Sequence, residues 1–375
     1  MKSLNPPLLV ALNKLSFQRN IPTCFVKNIS GVAYTFSRHG KVTDVLKKET
    51  QSYDEKKLGP SQVLVSFLAS TIGTTDLAFI RGMGKLDGSS SIKLPWVAGL
   101  EGVAEVVATG NQVKSVGVGD RIIPFGFAIG AWREHGIFSE SQVVPISKSV
   151  KLEYASLASG GPCVAYRLLE DFVHLSPGDV VIQNCGTGAV GLSVAQIGKA
   201  KGLRVISVIQ ERGNYGPTVE RLKAWGNDIV VSHRYVGTFA MRRLLEDLPP
   251  PKLALNGAGG PTATELARLL GKGGTMITYG NASRKPFSIP TGIFTTNDIS
   301  LRGFSMLSWL QSKSESDVKK MLQSVTQMME NDQLKFWIER KKLEELEVAL
   351  QALSRPQQER RIVLVTKKGE MYLSG

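Results

Sequence analysis

Gly186, Gly188 and Gly191 stand in the spacing G-x-G-x-x-G, with Thr187, Ala189 and Val190 between them. The β-branched stretch 180–182 precedes them, and the apolar residues Leu192, Val194, Ala195 and Ile197 follow. A glycine trio set between a buried strand and a helix suits the close approach of a pyrophosphate. Gly186 is expected to make the tight turn, Gly188 to admit the phosphates, and Gly191 to let the helix pack closely on the strand. The free N–H groups and the positive end of the helix dipole then face the phosphate charge. A glycine-rich turn in another doubly wound fold shares the pattern without the ligand. Placed between strand and helix, the motif indicates a dinucleotide site.

The kind of dinucleotide is read at the end of the next strand, 203–209, about 20 residues after the first glycine. Gln210, Glu211 and Arg212 follow. An acid there favours the free 2′-hydroxyl of NAD, whereas an arginine offers a fork to the 2′-phosphate of NADP. Both types are present. The arginine tips the expectation to NADP(H), and a solvated loop charge is the plain alternative for Arg212.

These residues sit in a chain of 375, a length that suits two domains rather than one core. Charged residues make up 21% and hydrophobic ones 42%. No apolar run is long enough to span a membrane. The three cysteines, Cys24, Cys163 and Cys185, lack any C-x-x-C spacing, which argues against a disulfide framework or a cysteine-based zinc site. The net charge is +14, and the first 43 residues hold Lys2, Lys14, Arg19, Lys27, Arg38 and Lys41 without one acid. Residues 8–19 form a short amphipathic basic helix pattern. Such a basic, acid-poor start is composed like a mitochondrial transit peptide, here expected over 1–27. The remaining positive surplus suits acidic cofactors and acyl carriers, and equally suits a position beside RNA. The pairs Lys341-Lys342, Arg360-Arg361 and Lys367-Lys368 are too scattered for direct nucleic-acid reading.

The elements that must position the glycine loop follow from patterning. Residues 31–155 read as short strands and turns, with extended runs at 31–36, 62–69, around 99–107, and from the turn 117–120 into 121–124. From 160 to 310 strands alternate with helices: a helix around 219–225 ends at Gly226, and strands follow at 228–231, 251–256 and 275–279. Met321, Leu322, Val325, Met328 and Met329 recur at helical spacing and are expected in the core. Leu343, Leu346, Leu350 and Leu353 mark another helix, and 361–366 a closing strand.

A β-rich part before a late strand–helix alternation resembles the medium-chain dehydrogenase/reductase superfamily. Within it the chain resembles the mitochondrial trans-2-enoyl-CoA reductases. The resemblance is carried by Gly130-Ala131-Trp132-Arg133, Pro162-Cys163-Val164-Ala165-Tyr166-Arg167, Val181-Ile182-Gln183-Asn184, Lys252 to Asn256, Gly273 to Gly280, and Leu301-Arg302-Gly303-Phe304. It implies an α/β fold: a GroES-like β-rich substrate domain over 28–160 and 311–375, and a Rossmann doubly wound parallel-sheet NADP(H) domain over 161–310. It implies an NADPH-dependent reductase of enoyl thioesters carried on CoA or acyl carrier protein, a homodimer in the mitochondrial matrix. The cofactor contacts implied are Asn184, Gly186, Thr187, Gly188, Ala189, Val190, Gly191, Gln210, Arg212, Tyr279 and Gly280. The substrate cleft implied comprises Trp132, Arg133, Asn281, Phe304 and Ser305. Zinc-dependent members place a cysteine near 71–75 and a histidine in the 99–101 motif. Here those stretches hold Thr71, Ile72, Gly73, Gly99 and Leu100, so no metal is expected.

Three departures fall on the substrate cleft. The family's proton-donating tyrosine matches Gly84, its tryptophan after Gly-Phe matches Ser305, and its glycine after Tyr-Gly matches Asn281. Lys85 and Tyr166 are the nearest alternative donors by sequence. Two other functions therefore stand beside the reductase. One is an impaired homologue serving as a structural subunit or assembly factor of a large mitochondrial complex. The other is a zinc-free quinone oxidoreductase, which needs no such tyrosine.

Overall fold

The computed structural model describes residues 28–83, 93–126, 128–355 and 359–373. The strands in chain order are β1 (Ile29–Phe36), β2 (Leu46–Tyr53), β3 (Gln62–Ile72), β4 (Trp96–Val97), β5 (Gly102–Thr109), β6 (Arg121–Pro124), β7 (His135–Ser139) and β8 (Val143–Pro145). They continue as β9 (Val180–Asn184), β10 (Arg204–Ile209), β11 (Ile229–Ser232), β12 (Leu253–Asn256), β13 (Thr275–Thr278), β14 (Ser300–Gly303), β15 (Ile338–Lys342) and β16 (Arg361–Val365). Strands from both ends of the chain build a seven-stranded sheet in the order β15-β16-β3-β5-β6-β8, with β7 on β3. A small sheet β2-β1-β4 lies beside it. The fold is mixed α/β, with a GroES-like β-rich part and a Rossmann part.

β3 is the spine of the β-rich part. Every residue from Val63 to Ile72 is buried, and it pairs antiparallel with β5, β7 and β16. Its register slips between Leu64 and Val65 and again between Phe67 and Ala69. Such irregularities bend and twist a strand, which lets β3 pair along its length with different partners. β2 was not legible from pattern because LKKETQSY has no apolar face; it is an edge strand held by full antiparallel pairing with β1. The expected strand around 99–107 begins only at Gly102, because Gly99 takes φ +92°, in the region that glycine alone enters freely.

The second large sheet runs β11-β10-β9-β12-β13-β14, and all its pairs are parallel. This is the doubly wound order, in which the chain reverses direction between β9 and β12. Ligands of such sheets bind beyond the carboxyl ends of the strands at that reversal. The helix Glu315–Glu330 buries Met321, Leu322, Val325 and Met329, as the periodicity requires. It joins one continuous core that contains Leu68 and Val363 of the β-rich sheet and Val181, Leu255 and Ile277 of the parallel one. Among the described residues no helix is long and apolar enough to cross a membrane.

Trp132 is fully buried, packed with Phe36, Ile80 and Leu364, and its indole N–H donates to the Thr71 carbonyl at 2.8 Å. Trp132→Ala should cost about 3–5 kcal/mol through the cavity and the orphaned carbonyl. Denaturant unfolding followed by fluorescence and circular dichroism measures it; a loss below about 1 kcal/mol would contradict this packing.

Candidate functional site

β9 ends at Asn184, and the helix Ala189–Ala200 begins after Gly188 at its N-cap. The left-handed residue of the intervening turn is Cys185, at φ +59°, rather than Gly186. Gly186 is needed for proximity instead: a Cβ there would lie 2.8 Å from the Ser207 Cβ on β10. Gly191 is needed for packing, because its Cβ would lie 2.5 Å from the Cys185 carbonyl oxygen. Gly188 is different. A Cβ there would meet only the Cys185 carbonyl, at 3.2 Å, so the space beside it is left open by the protein. No side chain caps this helix, and its first N–H groups remain available to an anion.

Asn184 is buried and fully used inside the protein. Its amide nitrogen donates to Asn256 Oδ1 at 2.9 Å, and its Oδ1 accepts from the backbone N–H of Gly257 at 2.7 Å and Ala258 at 3.0 Å. The side chain thus pins the loop after β12 to the end of β9, across the reversal point. Gln183, which pattern alone did not single out, donates to the Gly191 carbonyl at 2.9 Å and to Ser207 at 2.8 Å. It fixes the helix start to β10.

Tyr279 follows β13, and its buried hydroxyl has no partner beside Gly257. Burial pushes its phenol far up, so it stays protonated. Gly280 packs against the Gly257 carbonyl, where a Cβ would lie 2.9 Å away. Gln210, Glu211 and Arg212 are exposed beyond β10. Glu211 lies 3.8 Å from the Arg234 guanidinium. The acid of the mixed signal is thereby partly neutralised, while Arg212 extends into solvent at the same strand end.

Phe304 leaves β14, its N–H bonded to the Thr278 carbonyl at 2.9 Å, and its ring meets Phe172 edge-on. Ser305 caps the helix Met306–Ser312. Tyr166, on the helix Gly161–Glu170, lies under the Arg167 guanidinium, which also covers Trp309. Asn281 is exposed, with its carbonyl accepting from Arg284 N–H. The glycine loop, Tyr279–Gly280 and Phe304–Ser305 therefore all follow the carboxyl ends of parallel strands, β9, β13 and β14.

Two residues expected in the cleft lie elsewhere. Trp132 is core, as described. Arg133 is buried within the β-rich part, where it donates to the Ile129 carbonyl at 3.1 Å and packs over Phe67 and Phe138. The family resemblance joined these two to the site; the structure packs Trp132 with Phe36 and Ile80, and Arg133 over Phe67 and Phe138. Gly84 and Lys85 lie outside the described residues. Among the described residues no group of three or more His, Cys, Asp or Glu is placed to hold a metal ion.

The model of the alcohol dehydrogenase GroES-like domain matches residues 59–152. The mitochondrial enoyl-acyl-carrier-protein reductase of Dictyostelium discoideum is 37% identical over 347 residues, covering 92% of this chain and 98% of that protein. The chain belongs to the mitochondrial enoyl reductase family. The human member is 35% identical over 303 residues, 80% of this chain and 79% of its own length. Among solved structures, the Etr1p/NADP/crotonyl-CoA complex superposes with a TM-score of 0.82 at 27% identity, covering 90% of this chain and all of that one. A Bacillus thuringiensis quinone reductase structure, at 24% identity and a TM-score of 0.79, shares the fold.

The glycine geometry separates ligand space from packing space. Gly188→Val should keep the fold and weaken NADPH binding by at least about 100-fold, since its branches enter the phosphate cradle. Gly191→Val should instead lower the melting temperature sharply through the Cys185 carbonyl. Melting curves and NADPH fluorescence titration of both variants check this; unaltered binding in Gly188→Val would contradict the assignment of the loop.

Proposed function

We propose that the chain is an NADPH-dependent reductase of 2-enoyl thioesters, carried on CoA or acyl carrier protein, working in the mitochondrial matrix. The observation that carries this is the open cradle at Gly188 under an uncapped helix start, in a chain 37% identical over 92% of its length to a named enoyl reductase. We assign residues 161–310 to the cofactor domain and 28–160 with 311–375 to the substrate domain. Residues 1–27, outside the described part, are assigned as the import signal. The relative named for an NADP and crotonyl-CoA complex supports both the cofactor and the substrate class.

The residues present fit the cofactor. The helix start and the backbone of Thr187–Val190 would bind the pyrophosphate, and Arg212 would take the 2′-phosphate, while the Tyr279 hydroxyl stays buried beside Gly257. When bound, NADPH supplies the hydride for the β-carbon of the thioester. The protein's own part is to hold the two reactants together and to exclude water from the crevice. The α-carbon then needs a proton, and Gly84 at the family's tyrosine position has no side chain to give one. The proton comes from solvent or from a neighbouring group, so turnover is slower than cofactor affinity suggests. β14 is exposed along all four residues and, among the described residues, unpaired on its outer edge, which supports a homodimer formed across it.

The test is NADPH oxidation at 340 nm with crotonyl-CoA and a medium-chain enoyl-CoA, beside the human relative. Turnover about 100- to 10,000-fold below that relative is expected, the usual worth of a positioned proton donor. Tight NADPH binding with no oxidation of any enoyl thioester would favour the structural-subunit reading. Equal rates would show that no tyrosine is needed at position 84.

A further inference from the structure

Glu101 lies between β4 and β5, where the β-rich part meets the glycine loop. Thr71 Oγ1 of β3 donates to its Oε1 at 2.7 Å, but its buried Oε2 has no partner. That oxygen presses on Gly160, where any Cβ would collide with it. The neighbouring Gly161 touches the other side: a Cβ there would lie 2.6 Å from the Ala189 Cβ at the glycine-loop helix start. Arg361 of β16 completes the arrangement. Its guanidinium donates to the Thr187 carbonyl of the glycine loop at 3.3 Å and to the Glu359 carbonyl at 3.2 Å, while its Nε is buried without a partner. Arg361 thus holds the glycine loop directly, and Glu101 borders it through Gly160 and Gly161, each with an unsatisfied buried atom.

We propose that Glu101 and Arg361 are a proton-linked positioning pair for the glycine loop. Arg361 holds the Thr187 carbonyl, Glu101 seats Gly160–Gly161 under Ala189, and the proton on Glu101 sets how much positive charge the loop offers an anionic ligand. The inference rests on the reading of this loop as the NADPH site. Three further groups face Glu101 from the packed elements. Asp76, at the start of the helix Thr74–Ile80, accepts from Gly73 N–H at 2.9 Å and Leu100 N–H at 3.0 Å. Cys163 of the helix Gly161–Glu170 is buried and kept as a thiol. Thr71 supports the ionised form of Glu101.

Burial pushes Glu101 up to about 8, and the charge of Asp76 adds to the rise, against the help of Thr71, the Gly160 backbone and Arg361. Asp76 itself, raised by burial to about 6, has finished titrating below that point. Below pH 8 Glu101 is neutral, and the charge of Arg361 is unopposed beside the cradle. Above it the carboxylate cancels that charge. The affinity for NADPH therefore falls as pH rises through about 8. Stability moves with the same proton. The folded chain retains a proton that the unfolded chain loses in the ordinary carboxyl range, so stability decreases from about pH 5 to pH 8.

The test titrates NADPH into wild type, Glu101→Gln and Thr71→Val from pH 7 to 9.5, above the ionisation of the 2′-phosphate. The wild-type Kd should rise about three- to tenfold per pH unit above pH 8, ten being the limit for one proton. Glu101→Gln should bind with a profile flat to within about twofold, and Thr71→Val should move the inflection to higher pH. In cofactor-free melts, Glu101→Gln should gain on wild type between pH 5 and 8. Equal slopes in wild type and Glu101→Gln, an unmoved inflection in Thr71→Val, or a melting gap that does not widen would each overturn the pair's role. Absence of NADPH binding by wild type at every pH would instead overturn the cofactor reading beneath it.

Discussion

The whole molecule depends on how closely the glycine-loop helix can approach the end of β9. Gly191 lies against the Cys185 carbonyl with no room for a methyl group, and Gly186 lies as closely against Ser207 of β10. That contact sets where the helix axis points, and hence where its free N–H groups meet the crevice. Gln183 locks the arrangement by bonding both the helix and β10. Asn184 extends it to the loop after β12. Since β9 is central in the parallel sheet, everything at the strand ends inherits its position from this point.

Much of this architecture was legible because it rests on local chemistry. The β-branched runs, the glycine spacing and the helix ending near Gly202 each announce their geometry, and the doubly wound order follows. What stayed hidden was set by contacts remote in sequence. Cys185 takes the left-handed position of the turn, and a cysteine gives no sign of that. β2 lacks any apolar alternation and exists through pairing alone. Trp132 and Arg133 belong to a family-like stretch near the site, yet both side chains turn into the β-rich core. Glu101 and Arg361 meet only when β16 closes the sheet beside β3, so neither could be paired from spacing.

The two halves of the chain have kept different things. The cofactor half leaves open the space beside Gly188, while Arg167, Gln183 and Tyr279 each keep a buried polar atom without a partner. At the positions that the family resemblance gives to the substrate cleft stand Gly84, Ser305 and Asn281. Ser305 serves instead as a helix cap. On the proposed reading, a glycine at position 84 separates binding from turnover, because it supplies no proton.

The central claim is that the crevice beside β9 and β10 holds NADPH, selected at the end of β10. Isothermal titration of NADPH and NADH into wild type and Arg212→Ala tests it most directly. NADPH should bind wild type about 10- to 100-fold more tightly than NADH, the worth of one charged hydrogen-bonded contact. That preference should collapse in Arg212→Ala while NADH affinity stays nearly the same. Equal affinity for the two cofactors in wild type, or an undiminished preference in the variant, would contradict the account.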